Sequence, residues 1–267
     1  MASGGNPFIW NPSVLDKVTV TTPGEEQIEQ SAEPGRKNPT RRPFRPELID
    51  EMEAMPVIVD SGLLSGLTAE FLQAARQADT NLVMLSSARP GEGKTVNAVS
   101  IAHGLAREAG LRTLLVDLNV DHAQLAHLLG AGGKPGMTEV LFGENRIREA
   151  IFRSGPLGFD FMPFGRPIGG RLQLFNGPMG ERLTELLARL SHAYDHVVLD
   201  GPAIFGSSDP AIMASRLGGV VMVIECEKTR WEVVSSAEKR LREAGGKPLG
   251  AILNRRRYHV PAFVYGK

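Results

Sequence analysis

The chain is poor in cysteine, in aromatic residues and in long apolar runs. Cys226 is the single cysteine among 267 residues, which excludes an internal disulfide framework and a multi-cysteine zinc site and fits a reducing compartment. No stretch approaches the roughly 18 consecutive apolar residues of a bilayer-spanning helix. The first dozen residues lack a basic segment leading into an apolar run, so no signal peptide is expected and a cytoplasmic protein is. Neither sign of charge dominates: 30 Lys and Arg stand against 30 Asp and Glu. That balance argues against a general nucleic-acid binder and leaves only local basic patches to consider. The six histidines show neither H-x-E nor H-E-x-x-H spacing, so no transition-metal site is expected.

Three stretches follow from composition. Residues 1–55 are rich in Pro, Gly, Glu, Gln and Asn with little apolar periodicity, the composition of a disordered tail. A basic run there (Arg36, Lys37, Arg41, Arg42, Arg45) reads as a solvated linker, with a contact to an acidic partner or anionic lipid as the sharper alternative. Residues 56–257 form the folded domain, and residues 258–267 a short flexible tail carrying Tyr258 and Tyr265. Within the domain, compact apolar runs at residues 82–86, 113–116, 196–199, 219–224 and 249–253, with a further strand at 159–163, alternate with helical spacing. Helices are expected at 68–78, 95–109, 122–129, 138–142, 180–192 and 230–244. Apolar strands alternating with amphipathic helices predict an α/β fold with a mainly parallel, doubly wound sheet.

The sharpest local pattern is ARPGEGKT over residues 88–95, between a strand and a helix, the context of a phosphate-binding P-loop. Gly91 and Gly93 let backbone N–H groups turn toward phosphate oxygens. The helix start adds a partial positive charge. Lys94 reaches the β- and γ-phosphates of ATP, and the Thr95 hydroxyl ligates Mg2+. Glu92 and Val96 complete the nucleotide-binding segment. Ala88 replaces the usual first glycine. Asp117 and Asp200 each close an apolar strand; in a parallel sheet such strand ends converge on one crevice, where carboxylates hold a Mg2+-bound water or polarise an attacking group. Asp209, before Pro210, reads as a helix N-cap. Cys226 reads as a small buried hydrophobe ending a strand, and Trp231 as packing at a helix start.

The segments SSARPGEGKT (86–95), LLVD (114–117), VVLDGP (197–202) and GAILN (250–254) together resemble the cytoplasmic domain of bacterial tyrosine kinases, the exopolysaccharide and capsule autokinases of the MinD/ParA-like P-loop superfamily. The segments GMTEVLFG (136–143) and RRRYHVP (255–261) extend the resemblance. It implies an ATP- and Mg2+-dependent kinase with Lys94, Asp117 and Asp200 as catalytic residues and Thr95, Asp117 and Asp200 around the metal. It further implies Asn254 at the adenine, Tyr258 and Tyr265 as phosphoacceptors, and a membrane chain-length regulator (polysaccharide co-polymerase) as partner, which would bring the protein to the membrane. Two departures stand out. The family's Asp-x-Asp-x-Arg reads Asp117-Leu-Asn119-Val-Asp121, and an amide at position 119 accepts a hydrogen bond without serving as a base. The oligomerisation pattern Glu-x-x-Arg-x-x-Arg reads Glu70-x-x-Gln73-x-x-Arg76, three residues on one helical face where self-association or plain solvation is expected. Arg89 stands near a signature Lys of the MinD branch and reads first as a solvated loop residue. A nucleotide-dependent assembly subunit with little kinase activity is the alternative reading, and a DNA-partitioning ATPase a further one.

Overall fold

The computed structural model describes residues 61–119, 125–153, 155–167, 175–206, 213–214 and 216–255. The tail and basic run expected before residue 56, together with Asp121, Asp209, Tyr258 and Tyr265, lie outside the described residues. In chain order the elements are α1 (Ser61–Gln77), β1 (Leu82–Ser87), α2 (Lys94–Arg107), β2 (Thr113–Asp117), α3 (Leu125–Leu128), α4 (Met137–Leu141), β3 (Phe152–Arg153), β4 (Asp160–Met162), α5 (Gly177–Ala193), β5 (His196–Asp200), β6 (Gly219–Glu225), α6 (Trp231–Glu243) and β7 (Pro248–Asn254). Two 3₁₀ turns, Ile147–Ala150 and Gly155–Leu157, flank β3.

Seven strands form one sheet in the order β3-β4-β2-β5-β1-β6-β7. Every pairing is parallel except β3 with β4. All residues of β1 and of β2 are buried, as parallel strands covered on both faces must be, and this is why they read as unbroken apolar runs. One face packs on α5 and α6: Leu183, Leu186, Leu187 and Leu190 join Val234, Ala237 and Leu241 against Met84, Val116, Leu199 and Met222. The leucine spacing of α5 is one helical stripe, and each such side chain removed from water contributes roughly 1.5–3 kcal/mol. Alternate strand residues such as Leu85, Leu115 and Val198 point to the opposite face. There α2 lies against β1, β2 and β5, with α1 packed beside it; Phe71, Ala75, Ile101 and Leu105 are buried in this layer.

Some details depart from the sequence reading. The antiparallel β3 is two residues long, too short for any periodicity to register. Trp231 is 72% exposed rather than packed, because it is the first residue of α6 and precedes the buried Val234–Ala237–Leu241 stripe. Cys226 is half-buried, not buried, since it falls one residue beyond β6.

Candidate nucleotide site

The loop of residues 88–95 joins β1, an interior strand between β5 and β6, to α2 at the C-terminal end of that strand. Gly91 and Gly93 have φ of 86° and 93°, conformations open to glycine and strained for other residues. At Gly93 a Cβ would also run into the Asn254 side chain. Gly93 is the N-cap of α2; no side chain caps that helix and no acid occupies its first turn. The first N–H groups of α2 are therefore available to an anion, with the helix dipole behind them. Lys94 is 6% exposed, a buried cation at the same helix start.

Strand register brings the two aspartates together. Asp117 and Asp200 are directly paired residues of the adjacent parallel strands β2 and β5, so both side chains emerge on one face. Each is almost fully buried. The Thr95 hydroxyl donates to Asp200 Oδ2 at 2.7 Å, and the Asn119 backbone N–H donates to Asp117 Oδ1 at 2.9 Å. The other carboxylate oxygens, Asp117 Oδ2 and Asp200 Oδ1, are buried without a hydrogen-bond partner. Burial pushes both acids upward. Asp117 is held well above the usual carboxylate range by burial and by the neighbouring Asp200. Asp200 is also raised by burial, with the Thr95 hydrogen bond and the Lys94 charge opposing the rise.

Two desolvated carboxylates with idle oxygens beside a threonine hydroxyl fit a hard divalent cation. Mg2+ is commonly held by one or two carboxylates plus substrate phosphates and water. The donors present are the two carboxylates and the Thr95 hydroxyl; among the described residues no group of three or more His, Cys, Asp or Glu side chains gathers for a metal.

Two of the other expected residues, Glu92 and Asn254, make hydrogen bonds within or onto the loop. Glu92 is 2% exposed; its carboxylate accepts the Arg89 N–H at 2.8 Å and the Thr229 hydroxyl. Its side chain thus shapes the loop. Asn254, the last residue of β7, donates from Nδ2 to the Glu92 carbonyl at 2.9 Å. Val96 is half-buried in the first turn of α2, and Arg89 is exposed. Gln73 and Arg76 are exposed and Glu70 half-buried on α1, away from the buried Phe71 and Ala75.

Sequence reasoning missed two residues. Thr229 lies 137 positions from Glu92, and no local signal links them. Asn97 donates from Nδ2 to the Gly93 carbonyl at 2.9 Å; its position one helical turn after the glycine was the only clue.

Comparison with known proteins shows what the whole domain resembles. A family model described as an AAA domain matches residues 80–243. The tyrosine-protein kinase CpsD of Streptococcus agalactiae is 28% identical over 206 residues, covering 74% of this chain and 88% of that protein. The tyrosine-protein kinase Wzc of Salmonella typhimurium is 29% identical over 181 residues, covering 68% of this chain and 25% of that protein. The chain spans about a quarter of the length of the larger curated relatives it matches. The crystal structure of the VpsO kinase domain superposes with a TM-score of 0.66 at 31% identity, covering 73% of this chain and 94% of that domain. The chain thus belongs to the AAA-domain family of P-loop proteins, in its bacterial tyrosine-kinase branch.

Proposed function

We propose that the chain binds ATP with Mg2+ and transfers the γ-phosphate to a tyrosine hydroxyl, on itself or on a partner, in exopolysaccharide or capsule production and export. The observation that carries this reading is the buried Asp117–Asp200 pair, whose idle oxygens lie with Thr95 beside a P-loop helix start. The relatives' names as tyrosine-protein kinases support it.

In this reading the loop amides and Lys94 hold the phosphates, and Asn254 stands beside the base. Thr95, Asp117 and Asp200 would hold the cation, which would supply charge neutralisation for the phosphates. Asp117 accepts the tyrosine O–H proton as the phenolic oxygen bonds to the γ-phosphorus and the bond to ADP breaks. Most of the rate enhancement then comes from positioning and charge neutralisation. Tyr258 and Tyr265 are the phosphoacceptors, and a membrane chain-length regulator is the partner that recruits the protein. No described helix is long and apolar enough to cross a membrane.

Incubation with labelled ATP and Mg2+, alone and with the partner's cytoplasmic segment, tests the reading. Phosphotyrosine in the wild type and none in Lys94→Ala is the expected result; no label on any tyrosine under either condition sinks it.

One observation favours a second reading. Asn119 is 6% exposed beside Asp117 and supplies an amide where the family carries a second carboxylate. With that acid gone, nucleotide binding would drive assembly through the Glu70–Gln73–Arg76 face without phosphotransfer. ATP-dependent sedimentation with no phosphotyrosine marks this case, and sedimentation indifferent to ATP removes it.

A further inference from the structure

The nucleotide site uses the C-terminal ends of β2 and β5. The N-terminal end of β2 opens onto a separate pocket of about 580 Å³, formed with the start of β4, the end of β3 and the last turn of α5. Thr113, which lines it, lies roughly 13 Å along β2 from Asp117 at the usual rise per residue. The pocket therefore shares a strand with the proposed catalytic acid and shares no residue with the nucleotide site.

Its charge is one-sided. Arg112, Arg148, Arg153 and Arg189 line it, against the single carboxylate of Asp160, in a chain whose formal net charge is zero. The existing pairings consume only part of this excess. Arg112 is held by Asp195 at 2.7 Å. Arg153 stands 3.6 Å from Asp160, beyond hydrogen-bonding range. The other Asp160 oxygen accepts the Tyr194 hydroxyl at 2.8 Å. Arg148 and Arg189 make no ion pair and no side-chain hydrogen bond among the described residues. Two exposed guanidiniums thus line one cavity outside any ion pair with its Asp160, and the adjacent Glu149 feels the charge of Arg148. Guanidinium forks match phosphate oxygens two at a time.

The other wall is apolar. Ile147, Ile151 and Leu190 line the same cavity, and Leu190 belongs to the buried stripe of α5. Concave pockets of this volume, apolar with a few convergent polar groups, suit small ligands better than flat macromolecular surfaces.

We propose that this pocket is a second anion site, which takes a small organic diphosphate: the phosphates on Arg148 and Arg189, and a planar or apolar group on Ile147, Ile151 and Leu190. The assignment is independent of the kinase reading, and the experiment keeps the two apart. Calorimetric titration of the full chain carrying Lys94→Ala, which disables the P-loop, uses uridine diphosphate and pyrophosphate as probes. Uridine diphosphate binds this variant, and more tightly than pyrophosphate. Adding Arg148→Ala and Arg189→Ala weakens it at least tenfold. Both side chains are exposed, so the far-ultraviolet dichroism stays unchanged. With Lys94 intact, the double arginine variant binds ATP within twofold of the wild type. No uridine diphosphate binding to Lys94→Ala overturns the proposal, as does affinity undiminished by the arginine substitutions. Pyrophosphate binding as tight as that of uridine diphosphate overturns it too, and so does a loss of ATP binding in the double arginine variant. A wild type that fails to bind ATP sinks the kinase reading and leaves this one standing.

Discussion

Replacing Asp117 by Asn makes the nucleotide-free domain more stable while removing its chemistry. Asp117 folds into full burial opposite Asp200, and its proton affinity is raised well above the ordinary carboxylate value. At pH 7 the unfolded chain carries this side chain ionised. The folded domain must either keep a buried charge or bind a proton. The second route sets the upper limit: protonating an ordinary carboxyl, pKa near 4, at pH 7 costs about 4 kcal/mol. Asparagine carries no such cost, and its carbonyl still accepts the Asn119 N–H. Its new NH2 group offers donors near the unpartnered Asp200 Oδ1; any donor left unmade costs about 1–3 kcal/mol. The net expectation is a gain of roughly 1–3 kcal/mol, or about 3–10 °C in Tm for a domain of this size. The pH dependence has a definite sign. A carboxyl whose folded pKa is raised contributes stability below about pH 4, and that contribution is lost as pH rises toward the folded value. Between pH 4 and 7 the wild type therefore loses stability relative to Asp117→Asn. Mg2+ with ATP reverses the ranking, since only the wild type has both carboxylates to offer. Thermal and urea unfolding from pH 4.5 to 7.5, with and without Mg2+ and ATP, is the assay. A variant destabilised by more than about 1 kcal/mol at pH 7 without ligand, or one with the wild-type pH slope, refutes the reasoning.

Gly93→Ala places a Cβ at positive φ and against the Asn254 side chain; a cost of about 1–3 kcal/mol and loss of ATP binding are expected by thermal shift. Thr229→Val removes the hydroxyl that holds the Glu92 carboxylate, so amide hydrogen exchange across residues 89–95 speeds up and ATP affinity falls severalfold while the sheet stays protected. Tyr194→Phe deletes the donor to Asp160 and destabilises by about 1 kcal/mol, read as a lower urea midpoint with unchanged slope.

The central sheet was legible in the sequence because parallel strands buried on both faces leave unbroken apolar runs: those at residues 82–86 and 113–116 became β1 and β2. The leucine stripe of α5 was equally plain. The P-loop was legible because its glycines and Gly-Lys-Thr sit between a strand and a helix. Short or terminal features were not. Two residues of β3 carry no period, and nothing local distinguishes an exposed Trp231 at the first position of α6 from a packed one. Glu92 looked like a ligand-binding residue, and its carboxylate turned out to anchor the loop to Thr229.

What the sequence determined by itself was the type of each main element, the phosphate-binding loop and the presence of acids at two strand ends, all of which depend on neighbours within a few positions. Only the tertiary structure decided that Asp117 and Asp200 are register partners with idle oxygens, that Thr229 and Asn254 both bond Glu92 of the loop, and that Arg112, Arg189 and the Arg148–Arg153 segment line one pocket. Those facts arise from strand order and crossover geometry. The β2–β5–β1 arrangement places residues 83 positions apart at the same level of one sheet face, and spacing along the chain holds no record of which strands become neighbours.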